Sequence, residues 1–306
     1  LSGATGAISI IYLNLVSFWG DSWAISNIKK ADQLSREVNN LQKELLKRVK
    51  RLNEEVSSSN GDFALEEIDF RFDTGKTYRS YEEIETSVRS LQNQLWENRR
   101  RIWKEKTPKN LVEVLQPEVA IQLLKYNYTE HLTLGEFEEK GEQFEIAGLF
   151  NRNDRSVNIS TQFPQDVKKF TTAHELGHLL LHDEQIILHR DRPLKGASNS
   201  QNRNRIELEA DKFATYFLMP RKEVERIFKK NFGVDRLEMN QDTAFALGFK
   251  NTDELRNKYK TERDFTRMLS KLKLYNSRSV QSLVEHFEVS TEAMAIRIEE
   301  LKLVSY

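Results

Sequence analysis

The sequence predicts a helix-rich α+β chain in three regions, and three observations carry that prediction. Proline is confined: all five prolines fall between Pro108 and Pro220, so the flanking segments have no forced breaks. Before Pro108, apolar residues recur at spacings of three and four with charges between them, the pattern of a helical seam. Only the middle of the chain holds runs of β-branched and aromatic residues separated by turn formers. The regions are 1–108, an N-terminal helical hairpin or coiled-coil-like arm; 109–225, mixed helix and strand; and 226–306, helical, with a helix-turn-helix-like end.

Composition narrows the function. The 306 residues carry 47 Lys+Arg against 47 Asp+Glu and no cysteine. A protein that wraps nucleic acid needs a basic surplus, so direct nucleic-acid binding is not expected. Without cysteine there is no disulfide framework and no Cys-ligated zinc. The composition fits the reducing cytosol, and a cytoplasmic location is expected. The chain opens at Leu1 and not Met, consistent with a processed chain or a fragment. Its long apolar run, residues 7–19, contains Ser9, Asn14 and Ser17. That is short of the roughly 20 residues a membrane span needs, and no basic segment precedes it as in a signal peptide. A buried helix or strand is expected there.

In the first region, Leu34, Val38, Leu41, Leu45, Val49, Leu52 and Val56 form one stripe, and Ile84, Val88, Leu91, Leu95 and Ile102 a second. Residues 57–79 join them, with ALEEIDFRF as a short strand. Each stripe needs a partner, so the two should pair as an antiparallel hairpin, or be shared between two chains as a homodimer. In the middle region, 117–125 reads as a helix with Pro117 in its first turn. YNYTEHLTL, FEIAGLFN and RSVNIS read as strands, the last two joined through NRND as a hairpin. The strands should make a small antiparallel sheet. Helices should follow over about 165–183 and 205–218. At the end, Ser290 caps the second helix of the helix-turn-helix outline.

The site is His174-Glu175-Leu176-Gly177-His178. Two histidines four apart lie about 40° apart round a helix, so both imidazoles reach one ion. Glu175, rotated by about 100°, flanks that ion as a proton carrier. A catalytic site needs a third ligand. Glu207 on the next helix supplies it, with Asp211 one turn later to hold a ligand imidazole by its free N–H. Glu209 is the weaker alternative, because it lies about 200° round from Glu207. His182 is about 12 Å along the helix from His174 and reads as a helix-end histidine. His189, on the polar loop, and Tyr216 are candidate substrate or oxyanion contacts. His131 and His286 read as structural. A protein substrate should bind extended along an open edge of the strand at 155–160.

FTTAHELGHLLLH at 170–182, HRDRP at 189–193 and ELEADKFATYFLMP at 207–220 closely resemble the ImmA/IrrE family of metallo-endopeptidases. SLVEHFEVSTEAMAIRIEELKLV is similar to the C-terminal segment of one branch of that family. The resemblance covers about 115–306 and leaves 1–110 outside. It implies a zincin-like peptidase core with a glutamate, here Glu207, as third ligand. It implies Zn2+, or Mn2+ as in some members, and cleavage of a helix-turn-helix transcriptional repressor by water attack on a peptide bond. The competing readings are a regulator that binds DNA or protein through the C-terminal helices, and an inactive metal-binding scaffold. The acidic residues Glu292, Glu299 and Glu300 on the second of those helices argue against a DNA groove.

Overall fold

The computed structural model describes residues 78–139, 142–182, 188–191 and 205–306. The first stripe at 34–56, the strand at 64–72 and the apolar run at 7–19 lie outside the described residues. So do Leu41, Leu45 and Leu52 of the hairpin seam. Among the described residues no helix is long and apolar enough to cross a membrane.

Helix α1 spans Tyr81–Ile102. Ser80 opens it with a capping box: its hydroxyl accepts from Glu83 N while its own N–H donates to Glu83 Oε2 at 2.8 Å. Two orphan donors are satisfied at once. The stripe Ile84, Val88, Leu91 and Leu95 is buried as its spacing requires. It is buried in the same core as Leu176, Phe213 and Phe217. Gln92, on the same face, donates through Nε2 to the carbonyls of Tyr216 and Phe217 at 2.9 and 3.0 Å. This corrects the boundary near residue 108. The partner that α1 needs is supplied by the middle region, and Ile68–Tyr306 forms one compact unit.

Two short helices follow, α2 at Leu111–Val114 and α3 at Pro117–Leu123. The main sheet has the order β1-β5-β4-β6, with β1 at Asn127–His131, β4 at Gly148–Asn151, β5 at Ser156–Ser160 and β6 at Leu188–Asp191. Strands β2 (Glu136–Glu139) and β3 (Glu142–Glu145) form a separate hairpin. The NRND segment does turn β4 into β5, with Asn151 Oδ1 accepting from Asn153 N at 3.0 Å. The sheet is mixed, however, where an antiparallel one was expected. β1 pairs β5 in parallel, because β5 turns back from β4 at NRND and β4 itself runs opposite to β1. A second expectation fails with it. β5 is paired on both sides, so it offers no open edge to a substrate.

Helix α4, Gln165–Leu181, crosses this sheet and is buried throughout Thr171–Leu181. A helix buried all round is a central one. Helix α5, Arg205–Leu218, packs beside it. The boundary near 225 falls inside the next helix, α6, Arg221–Phe232, which ends at Gly233 in the left-handed region, φ 76°.

The last region is not purely helical. Between α7 (Gln241–Ala246), α8 (Thr252–Lys258), α9 (Glu262–Lys271), α10 (Leu283–Phe287) and α11 (Thr291–Glu300) lie two-residue strand pairs. β7 (Leu237–Glu238) pairs in parallel with β10 (Val304–Ser305), and β8 (Leu274–Tyr275) pairs with β9 (Arg278–Ser279). Ser290 caps α11, its hydroxyl accepting from Ala293 N. No residue of α11 is exposed. Met294, Ala295, Arg297 and Ile298 are buried, and Glu292 and Glu299 are tied to Arg263 and Arg267 of α9.

Two outcomes follow from this packing. Leu91→Ala should destabilise the protein by about 2–5 kcal/mol, the cost of emptying a closed core site. Chemical denaturation checks it, and a loss under about 1 kcal/mol would show that α1 stands outside the core. The second concerns acid. Glu223 on α6 is held down to about 2, first by a hydrogen bond from Arg226 and then by His286, whose Nε2 lies 3.6 Å from Glu223 Oε1. A depressed folded value gives stability that is present above the ordinary value of 4.5 and is lost as pH falls towards about 2. The melting temperatures of wild type and Glu223→Gln should therefore differ at pH 6 and converge between about pH 4.5 and 2.

Candidate metal centre

The site is made where α4 and α5 cross. Gly177 of α4 permits the crossing: a Cβ there would meet Phe213 Cβ at 3.0 Å and the Ala210 Cα at 3.2 Å. At that separation the first turn of α5 overhangs the two histidines. His174 Nε2 lies 2.9 Å from His178 Nε2, 3.4 Å from Glu207 Oε2, and His178 Nε2 lies 3.6 Å from Glu207 Oε1. One ligand atom from each residue falls within 4.8 Å of the others. The imidazoles are buried, and the Glu207 side chain is 19% exposed, which makes it the open side of the site.

These spacings fit a metal ion. Four-coordinate bonds of about 2.0–2.1 Å to nitrogen and oxygen set ligand atoms about 3.3–3.4 Å apart. The two His–Glu distances, 3.4 Å to Oε2 and 3.6 Å to Oε1 of Glu207, are close to that edge, and the His–His distance is somewhat shorter. Two imidazoles and one carboxylate are also the donor set of catalytic sites that keep a fourth position open. The far side of each ring is held. Asp211 Oδ1 lies 2.9 Å from His174 Nδ1. His178 Nδ1 lies 2.9 Å from His182 Nδ1.

Glu175 is fully buried on the sheet side of α4. Its carboxylate lies against β4 at Gly148, where a Cβ would come within 2.6 Å of Glu175 Oε1. Glycine inside a strand marks such a close approach, and that signal was in the sequence unread. The end of α4 is held as well. Arg152, in the β4–β5 turn, donates through Nη2 to the carbonyls of His178 and His182, both at 2.9 Å. Arg79 donates to the Leu181 carbonyl. A cation at a helix C-terminus suits both the orphan carbonyls and the dipole.

The structure thus brings together His174, Glu175, His178, Glu207 and Asp211. His182 is the C-terminal cap residue of α4 and stays out of the ligand group. Glu209 is also out of it, as its rotation round α5 requires, but it is fully buried and faces His182 Nε2 at 3.7 Å. Two candidates fall elsewhere. Tyr216 is nine residues beyond Glu207, about 180° round the helix. Its hydroxyl donates to Glu300 Oε1 at 2.9 Å and its ring lies under Arg297, so it is a packing residue and not a substrate contact. His189 is not on a loop: it sits in β6, opposite Phe150 of β4. His131 and His286 meet neighbours of structural kind: Asn158 and Thr129 for the first, Gln281 and Glu223 for the second.

Residues 130–260 match the family model described as the IrrE N-terminal-like domain, Peptidase_M78. This segment is similar to the IrrE N-terminal-like peptidase domain. The match contains β5, α4, β6 and α5, and hence the whole ligand group, while α1 and α11 fall outside it. No curated protein matches the chain. The M78 domain is of metallopeptidase type, in keeping with a His174, His178 and Glu207 group that could hold a metal.

Asp211→Ala should weaken metal binding by about 10–100-fold, the usual effect of losing a partner that holds a ligand imidazole. Chelator competition measures it, beside His178→Ala, which should lose stoichiometric metal. Unchanged affinity in Asp211→Ala would mean that His174 is oriented by something else.

Proposed function

We propose that this domain is a zinc-dependent, site-specific endopeptidase that cleaves a helix-turn-helix transcriptional repressor in the cytoplasm. The observation that carries the reading is the convergence of His174, His178 and Glu207 beside a buried Glu175. Imidazole donors favour zinc over manganese, which prefers oxygen ligands. The repressor as substrate is supported by the family resemblance of 170–182, 189–193 and 207–220.

A zinc ion held by these three residues would supply Lewis acidity to a water and to the scissile carbonyl. Glu175 takes a proton from the attacking water on a carboxylate oxygen and returns it to the leaving amine. Gly148 lets that carboxylate sit between α4 and the sheet. Asp211 accepts from His174 Nδ1, which keeps Nε2 free to bind. With β5 closed on both sides, the substrate strand adds at β6, which among the described residues pairs only with β4. Gly148 of β4, against which Glu175 lies, is the partner of Asp191 in β6, so this edge is one strand away from Glu175.

The DNA-binding alternative has nothing to support it in α11. Of its acidic residues, Glu292 and Glu299 pair with Arg263 and Arg267, Glu300 pairs with Lys212 and Arg297, and its apolar face is in the core.

Glu175→Gln separates chemistry from binding. It should keep stoichiometric metal and lose about 10²–10⁴-fold in turnover. Cleaved proteins in cells expressing wild type or Glu175→Gln should differ by one principal product, a fragment of a helix-turn-helix protein. Turnover retained in Glu175→Gln would sink the general-base assignment, and a broad set of fragments would sink the site-specific one.

A further inference from the structure

His178 has two ring nitrogens, and the ligand group uses one. Nε2 faces Glu207 and His174. Nδ1 lies 2.9 Å from Nδ1 of His182. An imidazole that offers Nε2 to a metal carries its proton on Nδ1. That proton needs an acceptor, and the atom opposite is His182 Nδ1. A neutral His182 that accepts on Nδ1 must carry its own proton on Nε2. There it faces Glu209 Oε2 at 3.7 Å, and a carboxylate oxygen can accept. Glu209 is fully buried, and its other oxygen is fixed by Arg79 N at 3.0 Å and Arg205 Nε at 3.2 Å. One arrangement of protons sets donor against acceptor along the whole row, its last gap, 3.7 Å, being wider than a hydrogen bond.

We infer that Glu209 and His182 form a relay that sets the tautomer and ring orientation of His178, as Asp211 does for His174. Both ligand imidazoles are then governed by carboxylates of α5, one directly and one through a second ring. Glu209 and His182 are positioning residues. They act on the ligand through its far nitrogen and touch neither ion nor substrate. This also gives the buried carboxylate at 209 a use that its bonds to Arg79 and Arg205 do not explain, since those engage only one of its oxygens. The inference rests on the metal-binding part of the proposed function.

Two measurements test it. In zinc-loaded, ¹⁵N-labelled wild type, long-range ¹H–¹⁵N correlations should place the His178 proton on Nδ1 and the His182 proton on Nε2. In chelator competition, His182→Phe should lose zinc affinity by about 10–100-fold. His182→Gln, which keeps an acceptor oxygen, should recover part of that loss. Glu209→Gln should weaken zinc in the wild-type background and add nothing in His182→Phe, because it acts through that ring. A His182 proton on Nδ1 overturns the relay. So does a folded His182→Phe with affinity within about twofold of wild type, or an equal loss from Glu209→Gln in both backgrounds. If His182→Phe does not fold, the wild-type spectrum and Glu209→Gln alone decide. A wild type that binds no zinc overturns the proposed function and the relay together. A zinc-loaded wild type with unaffected variants overturns the relay alone.

Discussion

The close crossing of α4 and α5 at Gly177 governs the site, because three separate contacts need the same helix separation. Glu207 reaches the Nε2 atoms of both histidines, Asp211 reaches the far nitrogen of His174, and Glu209 faces His182. Those three carboxylates span little more than one turn of α5, so one rigid element places all of them. A side chain at 177 would push against Phe213 and the Ala210 backbone and move the three together. Packed cores transmit such shifts because they have few voids to absorb them.

α5 is held in that position from both sides. On one side α1 buries its stripe in the shared core, and Gln92 takes the Tyr216 and Phe217 carbonyls. On the other, α11 contributes Glu300, which accepts from Lys212 and from the Tyr216 hydroxyl. Arg297 is fully buried between these layers and is paired with Glu300, Glu85 and the Met219 carbonyl. A buried guanidinium is tolerated only when its donors are used, so this cluster couples α1, α5 and α11 in register. The elements outside the matched peptidase segment thus hold, at Lys212, Tyr216 and Phe217, the helix that carries Glu207.

The site concentrates polar groups where water is scarce. His174, Glu175, His178, His182 and Glu209 are each 5% exposed or less. Burial of that kind is costly for groups without partners. The fold offsets it by bonding the far nitrogens of both ligand histidines and by placing Arg152 on the carbonyls that α4 leaves open. A low-dielectric surrounding also strengthens each of these interactions. The ligand geometry is therefore set by protein contacts made before any substrate arrives.

Local pattern was enough for much of this protein. The helix at 205–218, the NRND hairpin, the Ser290 cap and the shared face of His174 and His178 follow from periodicity, turn chemistry and helix geometry, which act within a few residues. The opposed faces of Glu207 and Glu209 follow from the same rule. What lay beyond the sequence was each matter of partnership. The α1 stripe announced that it needed a partner but not that α5 was the one, since a seam pairs as well with a core as with a second helix. Parallel pairing of β1 with β5 depends on chain reversals summed over some thirty residues, which no local pattern records. Tyr216 and His189 were assigned by nearness in sequence, and tertiary packing turned one to Glu300 and built the other into a strand. Glu209 facing His182 was equally out of reach. Rotation round a helix says which way a side chain leaves, and only the packing of the neighbouring helix decides what it meets.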